Sequence, residues 1–220
     1  MGATRVSVKG TGLARHAHDR HRQAMQTPPP DPFAFFDLWY ADARAAEPSD
    51  PNAMTLATVD AAGWPQARIV LLKAHDPRGF VFYTNLESAK SDALHAHPVA
   101  ALLFHWKSSK RQIRITGPVS RVDDAQADAY FAGRPRESQV SAWASRQSAE
   151  MASRAEYEER LAAARARFEG GPVPRPPFWS GWRVQPRRFE FWEERAFRQH
   201  ERCTYTAQPG GGWRLAWLFP

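Results

Sequence analysis

Basic side chains stand at both ends of an apolar run in this sequence. Arg68 and Lys73 enclose the four aliphatic residues Ile69-Val70-Leu71-Leu72. Burying a charged group without a partner is costly, so a strand of this kind needs anions beside its ends. An anionic ligand or local carboxylates could supply them, and the sequence alone leaves both readings open.

A second polar group follows another apolar run. Tyr83, Thr84 and Asn85 end that run, and Ser88 and Lys90 stand at the start of a predicted short helix. The free amide groups and the dipole at a helix N-terminus favour a phosphate, and Lys90 would add a positive charge. Ordinary helix capping explains the place of Ser88 equally well.

Two further groups are rich in arginine. Arg134 and Ser138 lie just past a predicted helix, with Tyr130 one turn earlier, and this grouping could close around another phosphate. Arg134 alone would also suit the negative end of that helix.

Near the C-terminus, Arg198, His200 and Arg202 alternate with other residues. An extended strand would place all three on one face, where they could line a pocket. Three neighbouring cations repel one another unless an anion or an aromatic ring lies against them. We therefore favour ligand contact over simple packing for His200.

Length and composition limit the classes of protein that these groups can serve. The chain has 220 residues, of which 43% are hydrophobic and 24% charged, and its formal net charge is +7. These values are typical of a soluble globular domain and exclude a membrane-spanning helix. Because Cys203 is the only cysteine, an intrachain disulfide is excluded, and we expect a cytoplasmic protein.

Several other functions are disfavoured. The sequence contains no glycine-rich nucleotide loop, zinc-protease motif, nucleophile elbow or cysteine metal pattern. His16, His18 and His21 lie in a polar tail and are expected to be solvated, so no metal site is predicted. The nine tryptophans fall mostly in strand-like runs that need a core, so we expect neither a nucleic-acid nor a membrane partner.

The hydrophobic pattern predicts mainly β structure with flanking helices, arranged as an antiparallel sheet or barrel. Residues 1–30 are expected to form a flexible arm and residues 31–220 a single domain. The predicted strands are Ala53–Val59, Gln66–Ala74, Gly79–Thr84, Val99–Trp106, Arg111–Thr116, Trp182–Gln185, Arg188–Trp192, Arg202–Thr206 and Trp213–Leu218. The predicted helices cover residues 32–46, 88–97 and 123–132, and an alanine-rich stretch that begins at the capping pair Ser153 and Glu156.

The order of these motifs resembles the pyridoxamine 5'-phosphate oxidase family of flavin enzymes. The matching segments are RIVLLK at 68–73, FYTN at 82–85, SAK at 88–90, RQIRITG at 111–117, YFAGRPRESQVSAWASRQS at 130–148, FEFW at 189–192 and RQHER at 198–202. They span most of the chain, and the combination of RPRxSQ with AWxSxQS is highly specific.

The resemblance implies a fold, a cofactor and a partner. It implies a homodimer of FMN-binding split β-barrels, antiparallel and of the Greek-key type, with two FMN molecules at the subunit interface. Arg68 and Lys90 would hold the FMN phosphate, and Gln147 and Ser148 would reach FMN from the partner subunit. The implied FMN-binding residues are Arg68, Ile69, Val70, Leu71, Lys73, Tyr83, Thr84, Ser88, Lys90, Gln112, Gln147, Ser148, Trp192 and Arg202.

The resemblance also implies a reaction. Pyridoxamine or pyridoxine 5'-phosphate would be oxidised to pyridoxal 5'-phosphate by hydride transfer to the flavin, with O2 as the final acceptor and release of H2O2. The implied catalytic residues are Arg198 and His200. The implied substrate-binding residues are Lys73, Tyr130, Arg134, Ser138, Arg198 and His200.

Some positions depart from the pattern of the family. Ala89 stands where the family usually has an arginine, and Glu193-Glu194 stand where it usually has two glycines. Gln199 and Trp217 also replace the usual residues. Weaker FMN binding or a different substrate would be the consequences.

Two alternatives therefore stay open. One is a related flavin oxidase of the phenazine-biosynthesis type, and the other is a non-catalytic protein that binds FMN or pyridoxal 5'-phosphate. Lys73 is retained in a chain with only five lysines, which favours a phosphorylated substrate. Arg198 and His200 are also retained, which favours an enzyme.

Overall fold

A computed structural model describes Met25 and residues 27–220. The strands of this part of the chain are β1 (Ala53–Val59), β2 (Pro65–Leu71), β3 (Ala74–Asp76), β4 (Gly79–Asn85), β5 (Val99–Trp106), β6 (Arg111–Arg121), β7 (Trp179–Val184), β8 (Arg188–Glu193), β9 (Glu201–Ala207) and β10 (Trp213–Leu218). The helices are α1 (Pro32–Ala46), α2 (Ala89–Ala96), α3 (Asp124–Ala132), α4 (Arg136–Ala144) and α5 (Arg154–Arg167). A single 3₁₀ turn covers Ala196–Arg198.

The strands form one antiparallel sheet that curls into a half-barrel. The order is β10-β9-β8-β6-β5-β1-β2, and β7, β4 and β3 branch from the long strand β6. Residues 111–116 of β6 pair with β8, whereas residues 119–121 pair with β7. Between them, a Cβ on Gly117 would lie 1.8 Å from the carbonyl oxygen of Gln185, so only glycine fits at the change of partner. The predicted fold class is confirmed.

Helix α1 supplies a large part of the core. The Asp31 side chain caps the helix by accepting a hydrogen bond from the Phe33 N–H at 3.0 Å, and a proline follows at the first helical position. The buried residues Phe35, Phe36 and Trp39 pack against aromatic side chains of β4, β5 and β8. Burial of each ring contributes about 2 kcal/mol, which is enough to fix α1 on the sheet.

A second apolar cluster joins α3, α4 and α5 to the start of β7. Phe131, Val140, Phe168 and Trp179 lie at its centre. Arg136 completes it by donating hydrogen bonds to the carbonyl oxygens of Phe168 and Gly171, just after α5, at 2.5 and 2.7 Å. Arg136 therefore stabilises the C-terminal end of α5.

The predicted elements agree closely for α1, β1, β5 and β10. Strand β6 continues to Arg121 instead of ending at Thr116, and β7 begins at Trp179 instead of Trp182.

Two other predicted elements differ more. The strand predicted over Gln66–Ala74 divides into β2 and β3, because Leu72 N–H bonds to Asn52 whereas Lys73 N–H bonds to Val81 on β4. Helix α4 was not predicted, because the hydrophobic pattern of its nine residues is weak.

Most of the predicted arm, including His16, His18 and His21, lies outside the described residues. Its last residues pack on the sheet: Pro28 is buried, and the Tyr205 hydroxyl donates to the Pro29 carbonyl at 2.6 Å. None of the helices in the described part of the chain combines the length and apolar character needed to cross a membrane.

Candidate functional site

A cleft of about 810 Å³ opens between β4, α3 and α4. Four predicted substrate-binding residues, Lys73, Tyr130, Arg134 and Ser138, line it together. Lys73 lies between β2 and β3, Tyr130 in the last turn of α3, Arg134 between α3 and α4, and Ser138 in the first turn of α4. The fold thus brings distant parts of the sequence to one cavity.

Arg134 is the least satisfied cation of this cleft. Its Nη1 atom is buried and has no hydrogen-bond partner within the part of the chain that the structure describes, and burial lowers the pKa of its guanidinium. The guanidinium carbon lies 4.8 Å from the ring centre of Trp179 and 5.5 Å from that of Phe131. Aromatic faces attract a cation but do not accept its N–H bonds as an oxygen does, so this side chain is prepared for an anion.

Three parallel aromatic rings form one wall of the cleft. The Tyr83 ring stacks on Tyr130 at 3.9 Å and on Trp179 at 5.3 Å, with interplanar angles of 3° and 5°. Gly181 makes room for this stack, because a Cβ there would lie 2.8 Å from the Tyr83 ring. Burial, followed by the proximity of Tyr130, raises the pKa of Tyr83, so its hydroxyl stays protonated at neutral pH.

Arg175 holds this wall against α3. Its Nη1 donates to the Trp179 carbonyl at 2.8 Å, and its other nitrogens pair with Asp124 at 2.9 Å and Asp128 at 2.5 Å. Since Tyr130 is on α3 and Trp179 on β7, this arginine fixes the spacing of the two rings.

A polar pocket extends from Thr84 to the start of α2. Lys90 Nζ donates to Gln147 Oε1 at 2.7 Å and to Ser88 Oγ at 3.0 Å, and Thr84 Oγ1 donates to the same Gln147 oxygen at 2.9 Å. Burial, with a further contribution from Arg68, lowers the pKa of Lys90 to about 8. Two cations therefore stand close together, and no carboxylate in the described part of the chain pairs with either of them.

Arg68 is the second of these cations. Its Nη1 donates to Thr58 Oγ1 at 2.7 Å and to the Leu56 carbonyl at 3.2 Å, and burial lowers its pKa. Among residues 27–220, Arg68, Lys73, Lys90 and Arg134 form no ion pair with a carboxylate. Of the two readings left open by the sequence, neutralisation of Arg68 and Lys73 by local carboxylates is thus unsupported.

The remaining predicted residues of this region take varied positions. Ser88 precedes α2 without capping it through its side chain, and its hydroxyl instead donates to the Asn85 carbonyl at 2.7 Å. Ile69 is exposed on β2, next to the half-buried Val70 and Leu71. Ser148 is exposed, with a positive φ of 74°.

A second set of predicted residues lies on β6, β8 and β9. Gln112 is directly opposite Trp192, which is directly opposite Arg202, so the three share one face of the sheet. The Trp192 ring also contacts His200, with ring centres 4.7 Å apart. Arg202 is already paired with the buried Glu190 at 2.8 Å, and Arg202 with Arg114 keeps the pKa of that carboxyl low although burial alone would raise it.

The prediction that Arg198 lies on a strand with His200 and Arg202 is wrong. Arg198 ends the 3₁₀ turn, and β9 begins only at Glu201. Phe197 and Arg198 have φ values of 56° and 60°, which interrupt the alternation of an extended chain. Arg198 is exposed, and His200 is half-buried against Trp192.

The two sets stand at opposite ends of β6. Gln112 is the second residue of the strand, whereas Arg121 ends it opposite Trp182, next to the Gly181–Tyr83 pair. The nine residue steps between them correspond to about 30 Å along the strand. The two sets therefore occupy different parts of the sheet in one protomer.

Two residues that shape the site were not predicted. Trp179 was not predicted because it follows a proline-rich segment, ahead of the strand expected from Trp182, and because its place beside Arg134 depends on tertiary packing. Arg195 was not predicted because its ion pairs with Glu193 and Glu201 depend on a turn. For Trp179, the paired aromatics Phe178-Trp179 were the available signal.

Solved structures define the class of this fold and site. PhzG from Burkholderia lata 383, in complex with tetrahydrophenazine-1-carboxylic acid, matches with a TM-score of 0.82 and 30% identity, over 88% of this chain and 94% of that one. A pyridoxamine 5'-phosphate oxidase-related, FMN binding protein from Nostoc punctiforme PCC 73102 shares the fold, with a TM-score of 0.68 and 18% identity over 89% and 100% of the chains. The chain therefore has the split-barrel fold.

Sequence relatives narrow the class to a family. Residues 41–168 match the profile described as pyridoxamine 5'-phosphate oxidase, and residues 179–220 match the pyridoxine 5'-phosphate oxidase C-terminal dimerisation region. The pyridoxine/pyridoxamine 5'-phosphate oxidase of Sphingopyxis alaskensis is 59% identical over 86% of this chain and 88% of that protein, and that of Azorhizobium caulinodans is 56% identical over 86% and 90%. The chain belongs to the pyridoxine/pyridoxamine 5'-phosphate oxidase family, so the resemblance seen in its motifs is confirmed.

Proposed function

We propose that this protein oxidises pyridoxamine 5'-phosphate and pyridoxine 5'-phosphate to pyridoxal 5'-phosphate, with FMN as cofactor and O2 as electron acceptor. The observation that carries the proposal is the half-buried guanidinium of Arg134, which lies in a cleft of about 810 Å³ and whose Nη1 has no hydrogen-bond partner among the described residues. A substrate phosphate supplies the anion that this cation lacks. Family membership supports the identity of the ring attached to that phosphate.

The pair Arg68 and Lys90 fits the phosphate of FMN. Both cations are partly buried, and the lowered pKa of Lys90 reflects the cost of holding them together without an anion. A phosphate removes that cost. Thr84 and Ser88 add hydroxyl groups beside Lys90.

The edge strand β2 suits the flavin ring. In the described part of the chain β2 pairs only with β1, so alternate backbone groups of residues 69–71 are free to bond a ligand. Gln147 shares the pocket of Thr84 and Lys90 from its own chain. We therefore assign Gln147 to the FMN bound by its own protomer. The resemblance had instead implied that Gln147 reaches FMN from the partner subunit.

The site is completed across a homodimer in this proposal. Trp192, Arg198, His200 and Arg202 fall within the region matched to the dimerisation part of the family, and Gln112 lies opposite Trp192. About 30 Å of strand separates them from the cleft of their own chain. A partner subunit can bring its own copy of this set to the cleft by two-fold symmetry.

The residues of the chain bind and orient the reactants. Bound FMN would supply the two-electron acceptor, with O2 as the final oxidant reduced to H2O2, and for the amine substrate water would release the nitrogen as ammonia. Arg134, Lys73 and Ser138 hold the substrate phosphate and so fix the distance of the ring from the flavin. Arg198 and His200 of the partner cover the other side of that ring, orient it and exclude water.

An aerobic assay with both vitamers tests the proposal. Purified protein saturated with FMN is mixed with either phosphate, and pyridoxal 5'-phosphate and peroxide are followed together. The expected result is equal formation of both products. Bound flavin without turnover of either vitamer would overturn the substrate assignment, and would favour a tricyclic substrate of the kind bound to the B. lata structure.

For location, we propose the cytoplasm. Cys203 is fully buried, and burial raises the pKa of its thiol to about 12, so it remains an unreactive thiol of the core. A protein with this single cysteine suits a reducing compartment. Cell fractionation with an antibody against the chain tests this point.

A further inference from the structure

The loop between β8 and β9 is tied at its base by one arginine. Arg195 Nη2 lies 2.9 Å from a Glu193 carboxylate oxygen and 2.6 Å from Glu201 Oε2, and Arg195 Nε lies 2.9 Å from the same Glu201 oxygen. Glu193 ends β8 and Glu201 begins β9. Only 13% of the Arg195 side chain is exposed, so these pairs are shielded from water and stronger than surface pairs.

The ion pairs of Arg195 are continued by contacts with β6 and α1. Glu193 also accepts a hydrogen bond from Arg111 on β6 at 3.2 Å. Arg111 in turn pairs with Asp42 of α1 at 2.7 Å and lies 4.6 Å from the ring centre of Trp39. The base of the loop is thus anchored to β6 and α1, and Glu193, which departs from the pattern of the family, is part of that anchor.

The loop needs such an anchor because its own conformation is disfavoured. Phe197 and Arg198 are consecutive non-glycine residues in the left-handed region. Phe197 is 91% exposed, so in the described part of the chain packing of its ring contributes little to holding the turn. Fixing its two ends therefore stabilises the turn.

The same residue also fixes His200. The Arg195 backbone N–H donates to His200 Nδ1 at 3.3 Å. When Nδ1 accepts this bond, the proton of the neutral ring is on Nε2, which is the nitrogen left to donate to a ligand. Contact with Trp192 limits rotation of the ring.

We propose that Arg195 is a positioning residue: it holds the β8–β9 loop so that Arg198 and the Nε2–H of His200 meet the substrate ring in a fixed geometry. This proposal rests on the proposed function. Arg195 itself touches neither substrate nor cofactor, and it acts through the two residues that do. A loose loop would leave FMN in place but misplace the groups that cover the substrate.

Arg195→Met and Arg195→Lys test the proposal, with Arg154→Met as the matched control. In the described part of the chain, Arg154 forms an ion pair with Glu158 alone and lies over the ring of Tyr157, on the exposed surface of α5. The anaerobic rate of flavin reduction at saturating pyridoxine 5'-phosphate should fall about ten-fold in Arg195→Met, recover in part in Arg195→Lys, and stay unchanged in the control. The dissociation constant of FMN should change less than about two-fold. An unchanged reduction rate, or a loss that only follows loss of bound FMN, would overturn the proposal.

Hydrogen exchange separates this proposal from the proposed function, because it needs no activity. Arg195→Met should exchange faster over residues 194–200 but not within β5, and the control should match the wild type. Equal exchange in the loop would overturn the positioning role, whereas an inactive wild type with the expected exchange pattern would count against the substrate alone. Glu201→Gln provides a second variant should Arg195→Met not fold. It weakens the same tie from the β9 end while keeping Arg195 and the turn residues, and a full reduction rate in it would also contradict the proposal.

Discussion

The guanidinium carbon of Arg134 lies 4.8 Å from the ring centre of Trp179, while Nη1 of the same group has no hydrogen-bond partner among the residues described. The ring stabilises the charge and fixes its place, but it leaves N–H groups unbonded in a buried position. The fold therefore carries a cost in the free protein that an anionic ligand removes. Arg134 therefore lowers the stability of the free protein, although the binding of an anionic ligand depends on it.

Replacement of Arg134 should affect activity and stability in opposite directions. Arg134→Met should reduce kcat/KM for pyridoxine 5'-phosphate about 100-fold, or about 3 kcal/mol, mainly through KM, because a charge-assisted bond to the phosphate is lost. The ligand-free variant should also gain about 1 kcal/mol in free energy of unfolding, because an unpaired buried cation is replaced by an apolar side chain. Steady-state kinetics and urea unfolding measure the two effects.

Arg154→Met is the control for this substitution, since it removes an exposed arginine from α5. Its kinetics should equal those of the wild type, and its stability should change by less than about 0.5 kcal/mol. A loss of both activity and stability in Arg134→Met would show instead that Arg134 is satisfied in the free protein.

Lys90 should make FMN binding sensitive to pH near 8. Burial and Arg68 lower the pKa of Lys90 to about 8 in the free protein, and a bound phosphate would favour the charged form. Below pH 8 the lysine is already protonated, whereas above pH 8 binding must take up a proton. The dissociation constant of FMN should therefore rise up to about ten-fold between pH 7 and pH 9.

Fluorescence titration of FMN at several pH values measures this dependence. Lys90→Met should bind FMN more weakly at pH 7 and lose the rise between pH 7 and pH 9. The same rise in the variant would assign the titration to another group and remove Lys90 from the phosphate site.

Gly117 should be required where β6 changes partner. A Cβ at this position would lie 1.8 Å from the Gln185 carbonyl oxygen, which belongs to the backbone and cannot rotate away. Gly117→Ala should therefore lower the free energy of unfolding by about 3 kcal/mol. Gly210→Ala is the control, because nothing lies within 4 Å of its Cβ. Equal urea midpoints for the two variants would contradict this account.

The sequence predicted those parts of the fold that local chemistry determines. Alternation and turn residues gave β1 and β5 their correct bounds, and Asp31 with the following proline marked the start of α1. Alternation failed at Arg198, because the left-handed turn at 197–198 is held by ion pairs with residues on both sides of it. No periodicity reports such a contact.

The same limit applies to the site. Motifs selected Lys73, Tyr130, Arg134 and Ser138, which the fold gathers in one cleft. They did not indicate that Trp179 supports Arg134, since a cation over a ring is a property of packing between two distant segments. Nor did they indicate from which subunit each residue approaches a ligand.

Mixed dimers test the proposed division of the site between subunits. Arg134→Met damages the cleft, whereas Arg198→Leu damages the β8–β9 loop, and each homodimer should be nearly inactive at substrate concentrations well below the KM of the wild type. In a mixed dimer, one site combines both defects, but the other joins an intact cleft to an intact loop.

Random mixing of the two variants makes half of the dimers mixed, so about a quarter of the sites should be intact. Activity per bound FMN should accordingly recover to about a quarter of the wild-type value after the two variants are coexpressed or refolded together. If Arg134 and Arg198 of the same protomer served one site, no combination of these subunits would contain an intact one. Absence of recovery in dimers shown by native mass spectrometry to be mixed would therefore contradict the shared site, and it would require the loop to reach the cleft of its own chain.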